Sequence, residues 1–168
     1  MNKSLYLALI LLIVTSVNTF AQTIELKTIL DATKTCDTPS KFSEFITPYG
    51  FCFNEKKVMP TFTYYTHFKC GLTDIGQKEI RVNFSLSNDG SLNSSFLTRN
   101  NDMVSSFEKE LTKYHFKETQ QNVDLSRKNA KWFISENYPE ILILWEYNMD
   151  ENNKKVWHIG FIWNTPEN

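Results

Sequence analysis

The chain has 168 residues, 18 of them basic and 19 acidic, for a formal net charge of −1. That balance, with no basic block, argues against nucleic acid or an anionic membrane surface as the partner. Aromatic residues make up 14% of the chain, enough to fill a core, and the length suits one domain or two small repeats sharing one core.

Residues 1–21 read as a signal peptide. Lys3 supplies the positive charge, LYLALILLIVTSV (5–17) the apolar run, and Thr19-Phe20-Ala21 the small residues before a cut. Thirteen apolar residues are too few to span a bilayer, which takes roughly 20 in a helix. The expected product is a periplasmic or secreted chain of 147 residues from Gln22, not inserted in a membrane. The n-region, rich in lysine and asparagine, has a bacterial character.

After the leader, IELKTILDATK (24–34) predicts a helix with Leu26, Ile29 and Leu30 in register. A second helix follows, with Thr38 as cap, Pro39 at its first position and a stripe of Phe42, Ile46 and Tyr49; Pro48 and Gly50 end it. Four strands come next, at about 50–55, 61–70, 78–87 and 91–98. A third helix begins at Asn101 or Asp102 and carries Val104, Phe107, Leu111 and Tyr114 on one face. Four more strands are expected at about 115–120, 130–136, 140–148 and 156–163.

The two halves share a pattern. SKFSEFITPYGF (40–51) and SSFEKELTKYHF (105–116) both read S-x-F-x-x-x-[I/L]-T-x-Y-x-F. KEIRVNFSLSND (78–89) then lines up with PEILILWEYNMD (139–150), matching Ile80 with Ile141, Val82 with Ile143, Phe84 with Trp145 and Leu86 with Tyr147. Phe96 falls on Phe161. A core pattern recurring through a whole unit is the mark of a duplicated supersecondary block. The expected fold is α+β: a tandem duplication of a helix plus a four-stranded antiparallel meander, giving an eight-stranded sheet with helices on one face. The first repeat unit covers 22–99, with its extra N-terminal helix, and the second covers 100–168. This element order resembles that of the β-lactamase inhibitory proteins, secreted tandem repeats of helices on four-stranded sheets. The likeness lies in element order and carries no site residue and no target.

Hairpin registers separate the two halves. Asn88-Asp89-Gly90 forms a turn that sets Leu86 beside Leu92 and Val82 beside Phe96 on the core side, with Ser85 beside Asn93 and Asn83 beside Ser95 on the other. A turn centred on Asn152 pairs Tyr147 with Trp157, Trp145 with Ile159, Ile143 with Phe161 and Ile141 with Trp163 on the core side. The other side then carries Leu142 beside Ile162, Leu144 beside Gly160 and Glu146 beside His158. Serine and asparagine in one half are replaced by leucine and isoleucine in the other.

Cys36, Cys52 and Cys70 allow at most one internal disulfide. Cys52–Cys70 is the favoured pairing because it closes a hairpin. Strand parity opposes it: with Phe51 and Phe53 facing inward, Cys52 faces outward, while Cys70 shares a face with Tyr64 and Phe68, so without a bulge the sulfurs fall on opposite faces.

Chemistry-bearing motifs are absent. There is no H-E-x-x-H, G-x-S-x-G, phosphate-cradling glycine loop or C-x-x-C. His67 and Cys70 sit three apart on a strand, the wrong spacing for one metal. His115 stands at a helix end where a cation meets the last carbonyls, and Glu108 and Glu110 lie on a helix stripe facing water. The reading is a non-enzymatic protein without metal or cofactor.

Two functions fit. The first is a binding module recognising another protein, of inhibitor or immunity type, through an apolar sheet face of Leu142, Leu144 and Ile162 rimmed by Glu146 and His158. A homodimer through the same patch is a variant of it. The N-terminal helix covering that face would remove it. The second is a carrier of a small apolar ligand held between sheet and helices, lined by Tyr64, Trp132, Trp145 and Trp157. A tightly filled interior would count against it.

Overall fold

A computed structural model describes residues 24–70, 80–120, 127 and 129–163. The leader expected at 1–21 and the first two residues of the strand expected at 78–87 fall outside these residues. Among the described residues three α-helices are formed, α1 (Leu26–Thr35), α2 (Pro39–Ile46) and α3 (Asn101–Lys113), with a 3₁₀ turn over Thr47–Tyr49 closing α2. Eight strands follow the expected order: β1 (Phe51–Val58), β2 (Phe62–Lys69), β3 (Ile80–Ser87), β4 (Leu92–Thr98), β5 (Phe116–Thr119), β6 (Lys131–Ser135), β7 (Tyr138–Met149) and β8 (Lys155–Trp163). They make one antiparallel sheet in the order β1-β2-β3-β4-β8-β7-β6-β5. Each half is a meander, and the halves join through their last strands, with Ser95 opposite Gly160. The joined registers agree with the sequence pairing of both hairpins, Val82 opposite Phe96 and Ile143 opposite Phe161.

All three helices lie on one face. Helix α2 covers β1 and β3, α3 covers β4 and β5, and α1 runs over β4 and β8 between the other two. The helix stripes and the inward strand residues fuse into one core that includes Phe42, Phe84, Phe96, Phe107, Ile143 and Phe161, all essentially buried. Burying each such side chain contributes about 1.5–3 kcal/mol. The N-terminal helix joins this core, with Leu26, Ile29 and Leu30 fully buried and the Thr33 hydroxyl bonded to that of Ser94 on β4.

The twelve-residue pattern is used alike in both halves, an arrangement compatible with a duplicated unit. Phe42 and Phe107 enter the core, as do Phe51 and Phe116. Gly50 (φ 79°) and His115 (φ 60°) both take left-handed backbone at the helix exit, donating N–H to the carbonyls of Thr47 and Thr112. Lys69, opposite Phe51, donates Nζ to the Tyr49 carbonyl at 2.8 Å; Ser135, opposite Phe116, donates Oγ to the Tyr114 carbonyl at 2.7 Å. An orphan helix-end carbonyl thus finds a donor from the first hairpin in each half. His115 therefore acts through its backbone conformation at the helix end.

Three further expectations need correction. Asn100 caps α3, its Oδ1 accepting from the N–H groups of Asp102 and Met103, so Asn101 and Asp102 are already helical. Glu110 is only partly exposed and has a partner: its Oε2 accepts the N–H of Lys27 in the first turn of α1, whose own cap residue, Glu25, offers no side-chain bond. Helix α3 thereby caps α1. Strand β2 turns its other side inward from that assumed. Tyr65 and His67 face the helices, and Tyr64 and Phe68 face away with Cys52, which stands opposite Phe68. Cys70, two residues beyond Phe68, shares that outward side, and Cys52 and Cys70 are disulfide-bonded with Cα atoms 5.2 Å apart. The bulge in β1 lies at Asn54, beyond Cys52, and is not what aligns them.

The polar residue that misled the parity is fully buried. His67 lies between the rings of Phe42 and Phe53, and its Nε2 pairs with Ser43 Oγ at 2.7 Å. Its Nδ1 has no hydrogen-bond partner of ordinary geometry among the described residues. Burial lowers its pKa from the usual 6.5, offset in part by backbone groups of Val82 and Tyr65.

Candidate functional site, the outward face of the sheet

The face opposite the helices differs from one half to the other. In the first half it carries Asn83, Ser85, Asn93 and Ser95, with Asn83 Nδ2 donating to Ser95 Oγ at 3.2 Å and Ser85 Oγ to the Asn93 carbonyl at 3.4 Å. The amide oxygens of Asn83 and Asn93 are buried and accept no hydrogen bond among the described residues. Buried acceptors of this kind are uncommon and call for a partner.

In the second half the expected pairs are present: Leu142 opposite Ile162, Leu144 opposite Gly160, Glu146 opposite His158. Asn93 stands opposite Ile162 from the other side, so one unpaired amide borders the apolar strip. Leu142 and Ile162 are half-buried, and helix α1 lies on the opposite face of the sheet. Leu144 is not the exposed centre of the patch. It is only 4% exposed, flanked by Trp132 on β6 and by Gly160 on β8. A Cβ at Gly160 would meet Leu144 Cβ at 3.5 Å and its Cδ2 at 3.7 Å, ordinary van der Waals distances, so the two residues are in close cross-strand contact. Leu144 is therefore a floor for this face and part of the packing.

Glu146 organises the rim. Its Oε1 accepts a hydrogen bond from His158 Nδ1 at 2.8 Å and forms an ion pair with Arg127 at 3.0 Å, so one carboxylate holds two neighbours. Sequence reasoning missed Arg127, which lies 19 residues before Glu146 and outside any strand whose alternation could place it. It also missed the outward placement of Trp132 and Ile134. Period-two alternation about the inward Phe133 carried that signal, and Ile134 is 44% exposed beside the buried Trp132.

The four aromatic residues proposed to line an internal cavity are divided between the two faces of the sheet. Trp145 and Trp157 face the helices, their rings packed at 6.5 Å, whereas Tyr64 and Trp132 belong to the outward face. An open pocket of about 400 Å³ lies elsewhere, between the end of α1, the β3–β4 turn and Trp163, with Cys36 in its wall. That thiol is 4% exposed and burial raises its pKa, the opposite of what a nucleophilic cysteine needs. Among the described residues no group of three His, Cys, Asp or Glu could hold a metal, and no helix is long and apolar enough to cross a membrane. Compared with protein-family models, curated proteins and solved structures, the chain matches none.

Proposed function

We propose that the chain is an exported binding module that recognises another protein, as an inhibitor or immunity-type domain, through the outward face of the second half of its sheet. The observation that carries this reading is the placement of all three helices on one side, leaving a half-buried strip of Leu142, Ile162 and Ile134 on the other. An apolar strip with a charged rim, here Glu146, His158 and Arg127, is the anatomy of a recognition surface. Export is supported by the leader-like residues 1–21 and by the Cys52–Cys70 disulfide, a bond at home in oxidising compartments.

The test uses protein recovered from cells expressing the full-length chain, as bait on the envelope fraction of the source cells. A Leu142→Asp/Ile162→Asp variant that melts like the parent should lose the captured partner. Capture undiminished by that variant would overturn the surface. Recovery from the cytoplasm with Met1 intact would overturn export.

A further inference from the structure

The two edges of the sheet are unlike. Strand β5 is an edge of four residues, whereas β1 is an edge of eight, held against β2 by the Cys52–Cys70 bond. Every residue of β1 after Phe51 is exposed, among them Phe53 at 55% and Val58 at 70%. Long edges that carry apolar side chains are templates for pairing with another strand.

The pairing of β1 with β2 fixes which of its backbone groups remain available. Cys70 N–H donates to the Gly50 carbonyl, and Met59 N–H to the Phe62 carbonyl. In an antiparallel ladder, bonded and non-bonded pairs alternate. With the bulge at Asn54, residues 55, 57 and 59 therefore turn their amides to β2, and Lys56 and Val58 turn theirs to the free edge. Side chains divide the same way: Glu55 and Lys57 project on the outward face, Lys56 and Val58 on the helix face.

From this the geometry points to a second copy of the chain as the occupant of the β1 edge, paired antiparallel about a two-fold axis through Lys56. Charge selects that register. Centring on Lys56 sets Glu55 of each protomer opposite Lys57 of its partner, giving two ion pairs on the outward face. Centring on Glu55 or on Lys57 would place like charges face to face and form no ion pair to offset them. Glu55 and Lys57 have no salt bridge among the described residues, so both are available. The two Lys56 side chains meet at the axis, but each ammonium is drawn back over Tyr65 of its own β2, 5.6 Å from the ring centre. On the helix face the register brings Val58 of one protomer alongside Asn54 and Phe53 of the other. The two most exposed apolar side chains of the edge are thereby covered. An interface of this kind is isologous and closes at two protomers. It leaves the apolar strip on β7 and β8 untouched and stands independently of the function proposed above.

Sedimentation analysis of protein recovered from cells expressing the full-length chain, over a roughly hundredfold dilution series, should show a monomer–dimer equilibrium. Glu55→Lys and Lys57→Glu should each raise the dimer dissociation constant by about tenfold or more, and the doubly reversed chain should return it towards the parent value. Val58→Pro removes an N–H that faces the free edge, and should yield a monomer with an unchanged melting temperature; if that variant melts early, the charge series decides. A parent that stays monomeric throughout overturns the inference. So does a dimer indifferent to both single reversals, or a double reversal no better than either single one.

Discussion

Removing the Cys52–Cys70 bond tests the hairpin that anchors the β1 edge. The two cysteines are 18 residues apart in sequence and lie side by side on the outward face of β1 and β2. Closing a loop of that length restricts the unfolded chain by about 3 kcal/mol at 25 °C. For a chain of this size each kcal/mol moves the melting temperature by about 2–4 °C, so a Cys52→Ala/Cys70→Ala variant should melt about 6–12 °C lower. Thermal unfolding followed by circular dichroism, with and without reductant, separates the bond from its side chains. Reductant should lower the melting temperature of the parent and of Cys36→Ala by similar amounts and leave the double variant unmoved. Cys36, free and buried, serves as the control for loss of a thiol alone. A shift smaller than about 1 kcal/mol, or a parent insensitive to reductant, would refute the loop-closure reasoning.

Glu110→Ala should cost about 1 kcal/mol, because the N–H of Lys27 at the start of α1 loses its acceptor; urea unfolding measures the loss, and limited proteolysis should begin within 24–35. Burial raises the pKa of Glu110, so its proton is held more tightly folded than unfolded, and its contribution to stability is lost as pH rises through the folded value. Asp37, held low by Lys41, Asp89, held low by the N–H of Ser91, and Glu140, held low by Lys34, work in the opposite sense and lose their contribution as pH falls. Replacing Glu110 by Gln should therefore steepen the acid limb of a stability–pH curve. His67 acts over a higher window. Its folded pKa is depressed by burial, so its contribution is full above 6.5 and is lost as pH falls below that value; His67→Phe should flatten the curve there, as followed by melting temperature against pH. Finally, His115→Gly should stabilise by a few tenths to about 1 kcal/mol, and Gly50→Ala should destabilise by about 1 kcal/mol, since both positions require left-handed backbone. Chemical denaturation in which neither substitution shifts the stability in its stated direction would show that the helix exits are not conformationally limiting.

Much of this architecture was legible before any coordinates. The helix stripes, the proline at the start of α2 and the glycine at Gly90 are local signals, each acting over one or two turns of chain. Once Asn88-Asp89-Gly90 sets one turn and Asn152 centres the other, alternation carries each register to the end of its strands, which is why Val82 opposite Phe96, Leu142 opposite Ile162 and Glu146 opposite His158 could be paired by counting. Where β2 was read with the wrong side inward, the cause was a buried His67 in a place where apolar side chains were expected. Its burial depends on Ser43 from α2 and on flanking rings that no local pattern reveals.

By itself the sequence determined the element order, the eight strands, the shared twelve-residue pattern and the contrast between a polar and an apolar outward face, because these follow from side-chain periodicity along single segments. Only the tertiary structure decided that β4 joins β8, that α1 packs on the core side, that Glu110 caps a helix 83 residues away and that Leu144 sinks between Trp132 and Gly160. Each of these rests on contacts between segments distant in the chain, whose free energy is realised only when the sheet has closed and the helices have chosen a side.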